Sequence, residues 1–158
     1  MDERRIVVVV EEVEVARTAL QWALHNLLRY GDTITLLHVF PANNSGGRSS
    51  KSKLKKNRLL RLKGFQLALS FQDICNTYSN TKVEIVVTEG DQEGRKISAM
   101  VRQIGASVLV VGLHDHSFLY KLGVGNGNIT WRERGRKTIS CGWGSPSSSP
   151  QNFWGFLS

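Results

Sequence analysis

The chain has 158 residues, 41% of them hydrophobic and three of them proline, with a net charge of +8 and a sequence pI near 9.9. That length supports one hydrophobic core and not two ordinary domains, and no run approaches the roughly 20 consecutive apolar residues of a membrane-spanning helix, so no membrane partner is expected. Cys75 lies in a helical pattern and Cys141 among Gly, Trp and Ser, which gives no disulfide framework and points to a reducing, cytoplasmic compartment, with the nucleus a second location.

In chain order, Met1 to Arg5 leads into Ile6-Val7-Val8-Val9-Val10, a β-branched run that ends in acids. It reads as a strand buried on both faces, as in parallel sheets, and not as a signal-peptide core. Val13, Ala16, Leu20, Ala23, Leu24, Leu27 and Leu28 recur at helical spacing, so a first helix is predicted over Glu14 to Arg29, stopped by Gly31-Asp32. Thr33 to Phe40 follows as a strand closed by Pro41, and Ala42 to Ser52 as a loop.

Lys53 to Tyr78 reads as a long helix whose apolar positions include Leu59, Leu62, Leu67, Leu69, Ile74 and Cys75. Gly64 inside it costs about 1 kcal/mol against alanine and marks a candidate bend. Lys82 to Thr88 is the third strand. Asp91 is the expected N-cap of a third helix with Ile97, Met100, Val101 and Ile104 on its core face and Gly105 at its end. Ser107 to Val111 is a fourth apolar strand.

The alternation β-α-β-α-β-α-β implies a doubly wound parallel α/β sheet. Residues 1–128 form that domain, and 129–158 read as a divergent, weakly ordered tail of Gly, Ser, Pro and Trp without period. Ligands of such sheets bind outside the carboxyl ends of the strands. That rim carries Glu11 and Glu12, Phe40, Glu89 to Asp91, and Gly112 onward.

Taken together, VVVV with an acid at its end, ALQWAL, ITLLHVF, KVEIVVTEGD and ASVLVVG resemble the universal stress protein family in its small single-domain, UspA-like plant form. The resemblance covers about Arg5 to Lys121. It implies a Rossmann-like, adenine-nucleotide alpha-hydrolase-like fold with strand order 3-2-1-4-5, frequent homodimers, a stress-response role without catalysis, and in many members ATP or AMP at the switch point. The nucleotide positions then fall on Glu11, Val13, Val39, Gly112, Asp115, Gly125 and Asn126.

Several of these depart from the family's ATP pattern. Glu11 stands for an aspartate, Val13 for a serine, Asp115 for the middle glycine of the phosphate loop, and Asn126 for its hydroxyl residue. A phosphate cradle needs bare backbone N–H groups close to the anion. A carboxylate about 4 Å from a poorly solvated phosphate repels it by several kcal/mol, against the roughly 8 kcal/mol of a micromolar ligand. The expectation is therefore a degenerate nucleotide site. The family's fifth strand has no evident counterpart, Thr138 to Cys141 being short and polar, so an order 3-2-1-4 with a bare fourth-strand edge is expected, and with it a weakened dimer. A divergent or alternatively spliced ending is the expected origin of the tail.

Arg48 to Lys63 holds eight positive residues and no acid, as much as the whole net excess of +8. This segment is either a solvated helix face or, in the second reading of the chain, a site where Lys53, Lys55, Lys56 and Arg58 hold nucleic acid or another polyanion. It lacks interleaved aromatics for base stacking. His114-Asp115-His116 is too thin a ligand set for a metal, and none is expected. His38 is expected to satisfy a core hydrogen bond, and Cys75 to act as a small buried hydrophobe.

Overall fold

The computed structural model describes residues 3–42 and 50–112 and, as backbone, strands 139–141 and 154–157. Strand β1 (Arg5–Val9) is followed by helix α1 (Glu14–Asn26), β2 (Thr33–Pro41), α2 (Ser50–Cys75), β3 (Lys82–Gly90), α3 (Glu93–Ile104) and β4 (Val108–Gly112). Two short strands, β5 (Ile139–Cys141) and β6 (Trp154–Leu157), come from the expected tail. The sheet order is β3-β2-β1-β4-β6-β5. Its first four strands pair in parallel, with Ile6 opposite Ile34 and Val108, and Ile34 opposite Val83.

Alternate residues of each strand feed opposite faces of the sheet. Ile6, Val8, Ile34, Leu36, Val108 and Val110 pack with Ala16, Leu20 and Ala23 of α1 and with Phe71 and Cys75 of α2. Val7, Val9, Leu37, Val39, Leu109 and Val111 face the other way, onto Ile97 and the partly buried Met100, Val101 and Ile104 of α3. Both-face burial of β1 and β4 is what their unbroken apolar runs demanded, and β2 is buried on both faces as well, Thr33 and Thr35 included.

Three local expectations are corrected. The edge of β4 is not bare: Trp154–Leu157 pairs with it antiparallel, Gly112 opposite Trp154 and Leu109 opposite Leu157, and Ile139–Cys141 pairs with β6 in turn. The stretch around Trp154 is short but aromatic, which suits a strand beside an apolar edge. The N-cap of α3 is Gln92, without a side-chain hydrogen bond, and not Asp91. Gly105 does end α3, in the left-handed region at φ 71°, its N–H reaching the carbonyls of Arg102 and Val101.

The third correction concerns α2. It begins at Ser50, inside the expected loop, and its buried residues are Gly64, Ala68, Phe71 and Cys75. Of the apolar positions of this helix, Leu59, Leu62 and Leu69 are exposed. Gly64 serves as a seat within a helix that runs unbroken through it. A Cβ there would lie 2.7 Å from Cδ2 of His38 and 2.8 Å from Cγ1 of Val87, so glycine lets the helix approach the sheet closely.

The end of the sheet where strands begin is closed by polar groups. Asp32, buried, accepts hydrogen bonds from Nε of Arg4 at 3.2 Å, from Nη2 of Arg4 at 2.5 Å and from the Arg29 backbone N–H at 3.0 Å. Nη2 of Arg4 also donates to the carbonyl of Leu27. Thr33 and Lys82 donate to Glu3, and these bonds, Thr33 first, hold the Glu3 carboxyl below its ordinary range.

Candidate functional site

The candidate site is the rim where the parallel strands end. Val10 closes β1, its N–H bonded to the carbonyl of Leu37 at 2.8 Å. Nδ1 of His38 donates to the carbonyl of Val10 at 2.8 Å. A carbonyl can only accept, so Nδ1 carries the proton. The Cδ2 edge of the same ring lies against Gly64. His38 thus ties β1 to β2 and seats α2, which is the structural role expected for it.

Of the seven nucleotide positions, the described residues include Glu11, Val13, Val39 and Gly112; Asp115, Gly125 and Asn126, and with them His114 and His116, lie outside the described residues. Val13 is the N-cap of α1, extended at φ −137° and ψ 145°, and makes no side-chain cap. Its side chain packs against the core beneath α1 and α2. A serine at this position offers its hydroxyl to a helix N–H or to a ligand; valine offers neither. Val39 is buried in the α3 face of the core. Glu11 follows β1 at the same rim, half-buried.

Gly112 has a packing role that its place in a phosphate loop did not suggest. A Cβ on it would lie 2.8 Å from the Ala16 nitrogen, 2.8 Å from the Val15 carbonyl carbon and 2.9 Å from the Ala16 Cα. The first turn of α1 rests on β4 there, and the obstructing atoms are backbone, which cannot swing aside. Nothing in the spacing of glycines foretold this contact, because it depends on how α1 crosses β4. Gly90, at the end of β3, meets the side chain of Lys96 in the same way, at 2.7 Å from its Cβ.

Helix α2 runs back along the sheet, so its N-terminal half returns to the same rim. Nδ2 of Asn57 donates to Oε2 of Glu89 at 2.9 Å, pinning the helix to the end of β3. From Gly64 to Ser50 the helix extends about 21 Å at 1.5 Å per residue, while β2 continues only about 10 Å past His38. Its first turns therefore overhang the rim. Lys53, Lys55, Lys56 and Arg58 are all exposed on that portion, spread around the helix, whose Asn57 reaches Glu89 at the end of β3. Burial pushes the Cys75 thiol, at the far end of α2, up to about 11. A protonated, buried thiol is no nucleophile. No group of three metal-ligating side chains occurs among the described residues, nor any helix long and apolar enough to cross a membrane.

With that geometry in hand, residues 3–126 match the family model described as universal stress protein family. Among solved structures, the hypothetical protein MJ0577 is similar at a TM-score of 0.61, with 16% identity over 72% of this chain and 77% of that one. A universal stress protein family protein from Burkholderia pseudomallei gives a TM-score of 0.58 and 19% identity, over 75% and 86% of the two chains. One from Arabidopsis thaliana, solved with AMP bound, gives 0.52 and 22%, over 70% and 76%. These likenesses show the fold. No curated protein sequence matches the chain.

Proposed function

The chain belongs to the universal stress protein family, and we propose that within it this protein is a non-catalytic stress-response module whose ATP or AMP site is degenerate. The observation that carries the reading is Val13: an apolar N-cap, packed into the core, occupies the corner where the family pattern places a hydroxyl. Asp115 and Asn126 in the phosphate loop of the sequence point the same way. The Arabidopsis relative, solved with AMP bound, makes AMP as well as ATP the nucleotide to test. The protein acts through partner contacts in the cytoplasm and, secondarily, the nucleus, with a homodimer as the first partner to look for. Equilibrium dialysis with ATP and with AMP tests this. Wild type is expected to bind weakly, with a dissociation constant near 1 mM, and Val13→Ser with Asp115→Gly to bind more tightly. Micromolar binding by wild type overturns the reading.

A second reading rests on the exposure of Lys53, Lys55, Lys56 and Arg58 at the rim. They give the overhang of α2 a positive field on all its exposed sides, of the sign that nucleic acid or another polyanion requires. Neutralising all four is then expected to abolish binding of single-stranded nucleic acid and to flatten its salt dependence. Binding that survives at low salt removes this segment from consideration.

A further inference from the structure

We propose that the outward face of α2 docks on anionic phospholipid membranes, lying along the surface without crossing it. Each helical residue turns by about 100°. Leu54, Leu62, Phe65 and Leu69 therefore fall within about 80° of one another, on a flank whose centre is about 110° around the helix from that of the buried Gly64, Ala68, Phe71 and Cys75. These four, with Leu59, are 40–59% exposed. Isolated exposed leucines are ordinary; five large apolar side chains along one helix call for a partner.

Charge says what that partner is. Lys51 and Arg58 share the apolar arc toward the N-terminus, and Lys55 and Arg61 flank it, each about 20° beyond an edge. No acid occurs on α2 before Asp73. Nucleic acid accounts for the cations and leaves the leucines unexplained. A protein that wraps a basic amphipathic helix needs access to its whole circumference, and here one side is buried on the sheet. The cations also spread around the overhanging turns without a line that a complementary protein surface would read. A bilayer responds to the sum of nearby positive charge and not to its pattern. Leucine and phenylalanine enter the acyl boundary while lysine stems carry their charges back to the headgroups. The inference is independent of the nucleotide reading, since none of these residues belongs to that site.

Flotation of the full chain with vesicles of phosphatidylcholine alone, and of phosphatidylcholine with phosphatidylserine, tests it. Wild type is expected to float only with phosphatidylserine. Leu62→Ser/Phe65→Ser/Leu69→Ser, which keeps every charge, is expected to lower the bound fraction at least about tenfold. Lys51→Gln/Lys55→Gln/Arg58→Gln, which keeps every leucine, is expected to do the same. Circular dichroism melts run alongside should match wild type, because all six side chains are exposed. No flotation of a folded wild type with phosphatidylserine overturns the proposal. So does flotation that the serine variant leaves intact, which reduces the effect to charge alone. Analytical ultracentrifugation showing a dimer that the serine variant dissolves, with flotation unchanged, assigns the face to a second copy instead.

Discussion

The two ends of the parallel sheet are held by different physics. Where the strands begin, hydrogen bonds and ion pairs close the structure: Arg4 on Asp32, and Thr33 and Lys82 on Glu3. Where they end, glycines admit close approach: Gly112 under α1, Gly64 under α2 and Gly90 against Lys96. Polar clips tolerate small displacements and weaken by degrees. A steric seat fails when one carbon is added against backbone, as at Gly112, and yields where the neighbours are side chains, as at Gly64. The rim offered to ligands is therefore also the part of the fold with least room for substitution, and a glycine there is not by itself a sign of phosphate binding.

The largest effect is expected at Gly112. Gly112→Ala drives a methyl into backbone atoms of Val15 and Ala16, and urea denaturation should show a loss of about 3 kcal/mol, at the upper end of overpacking costs. A loss below about 0.5 kcal/mol would mean that α1 does not rest on this residue. Next comes Asp32→Ala at the opposite end, which leaves Arg4 without its carboxylate. Since Arg4 is 28% exposed and keeps the Leu27 carbonyl, the cost should be about 2 kcal/mol, short of that for a fully buried pair. A cost above that of Gly112→Ala would reverse the comparison.

Gly64→Ala is expected to be milder. Alanine gains about 1 kcal/mol of helix propensity against an overlap with His38 and Val87 costing about 1–3 kcal/mol, and those obstacles are side chains that can shift. A net loss of about 1 kcal/mol is expected, with the His38 imidazole resonances displaced in NMR spectra; net stabilisation would show the seat to be loose.

The effect of pH on Cys75 comes last because it is confined to alkaline solution. Its folded pKa of about 11 lies above the unfolded value, so the protonated thiol is favoured by folding. That contribution is complete below the unfolded pKa near 9 and is lost as pH rises toward 11. In a Cys141→Ser background, stability should fall over that window and Cys75→Ala should flatten the fall. Native Cys75 should also resist thiol reagents at pH 8 until the chain unfolds.

Much of this fold could be read before any coordinates. Ile6 to Val10 and Val108 to Val111 are apolar on both faces, as strands buried between helix layers must be, and Thr33 to Phe40 was legible as a strand through Ile34, Leu36, Leu37 and Val39. Helix α2 was legible as a helix but not in its orientation. Leucines mark the core in most helices, whereas this one packs through Gly64 and Ala68 and leaves Leu54, Leu59, Leu62 and Leu69 outside. Small residues carry little hydrophobic signal, so close helix-on-sheet packing is hidden from periodicity. The strand at Trp154–Leu157 was missed because four residues between Gly, Ser and Pro show no period. At the site, Glu11, Val13, Val39 and Gly112 were reachable through resemblance alone; what Gly112 does depends on the crossing of α1 and β4, which no local pattern encodes.

The central proposal is that the family fold carries a degenerate nucleotide site in this chain. Calorimetric unfolding of the full chain with and without ATP at about 1 mM tests it most directly, because a ligand stabilises by an amount set by the ratio of its concentration to its dissociation constant. The account predicts stabilisation of wild type by no more than about 0.4 kcal/mol, the value when that ratio is near one. A stabilisation of about 4 kcal/mol, as expected at a thousandfold excess over the dissociation constant, would contradict it.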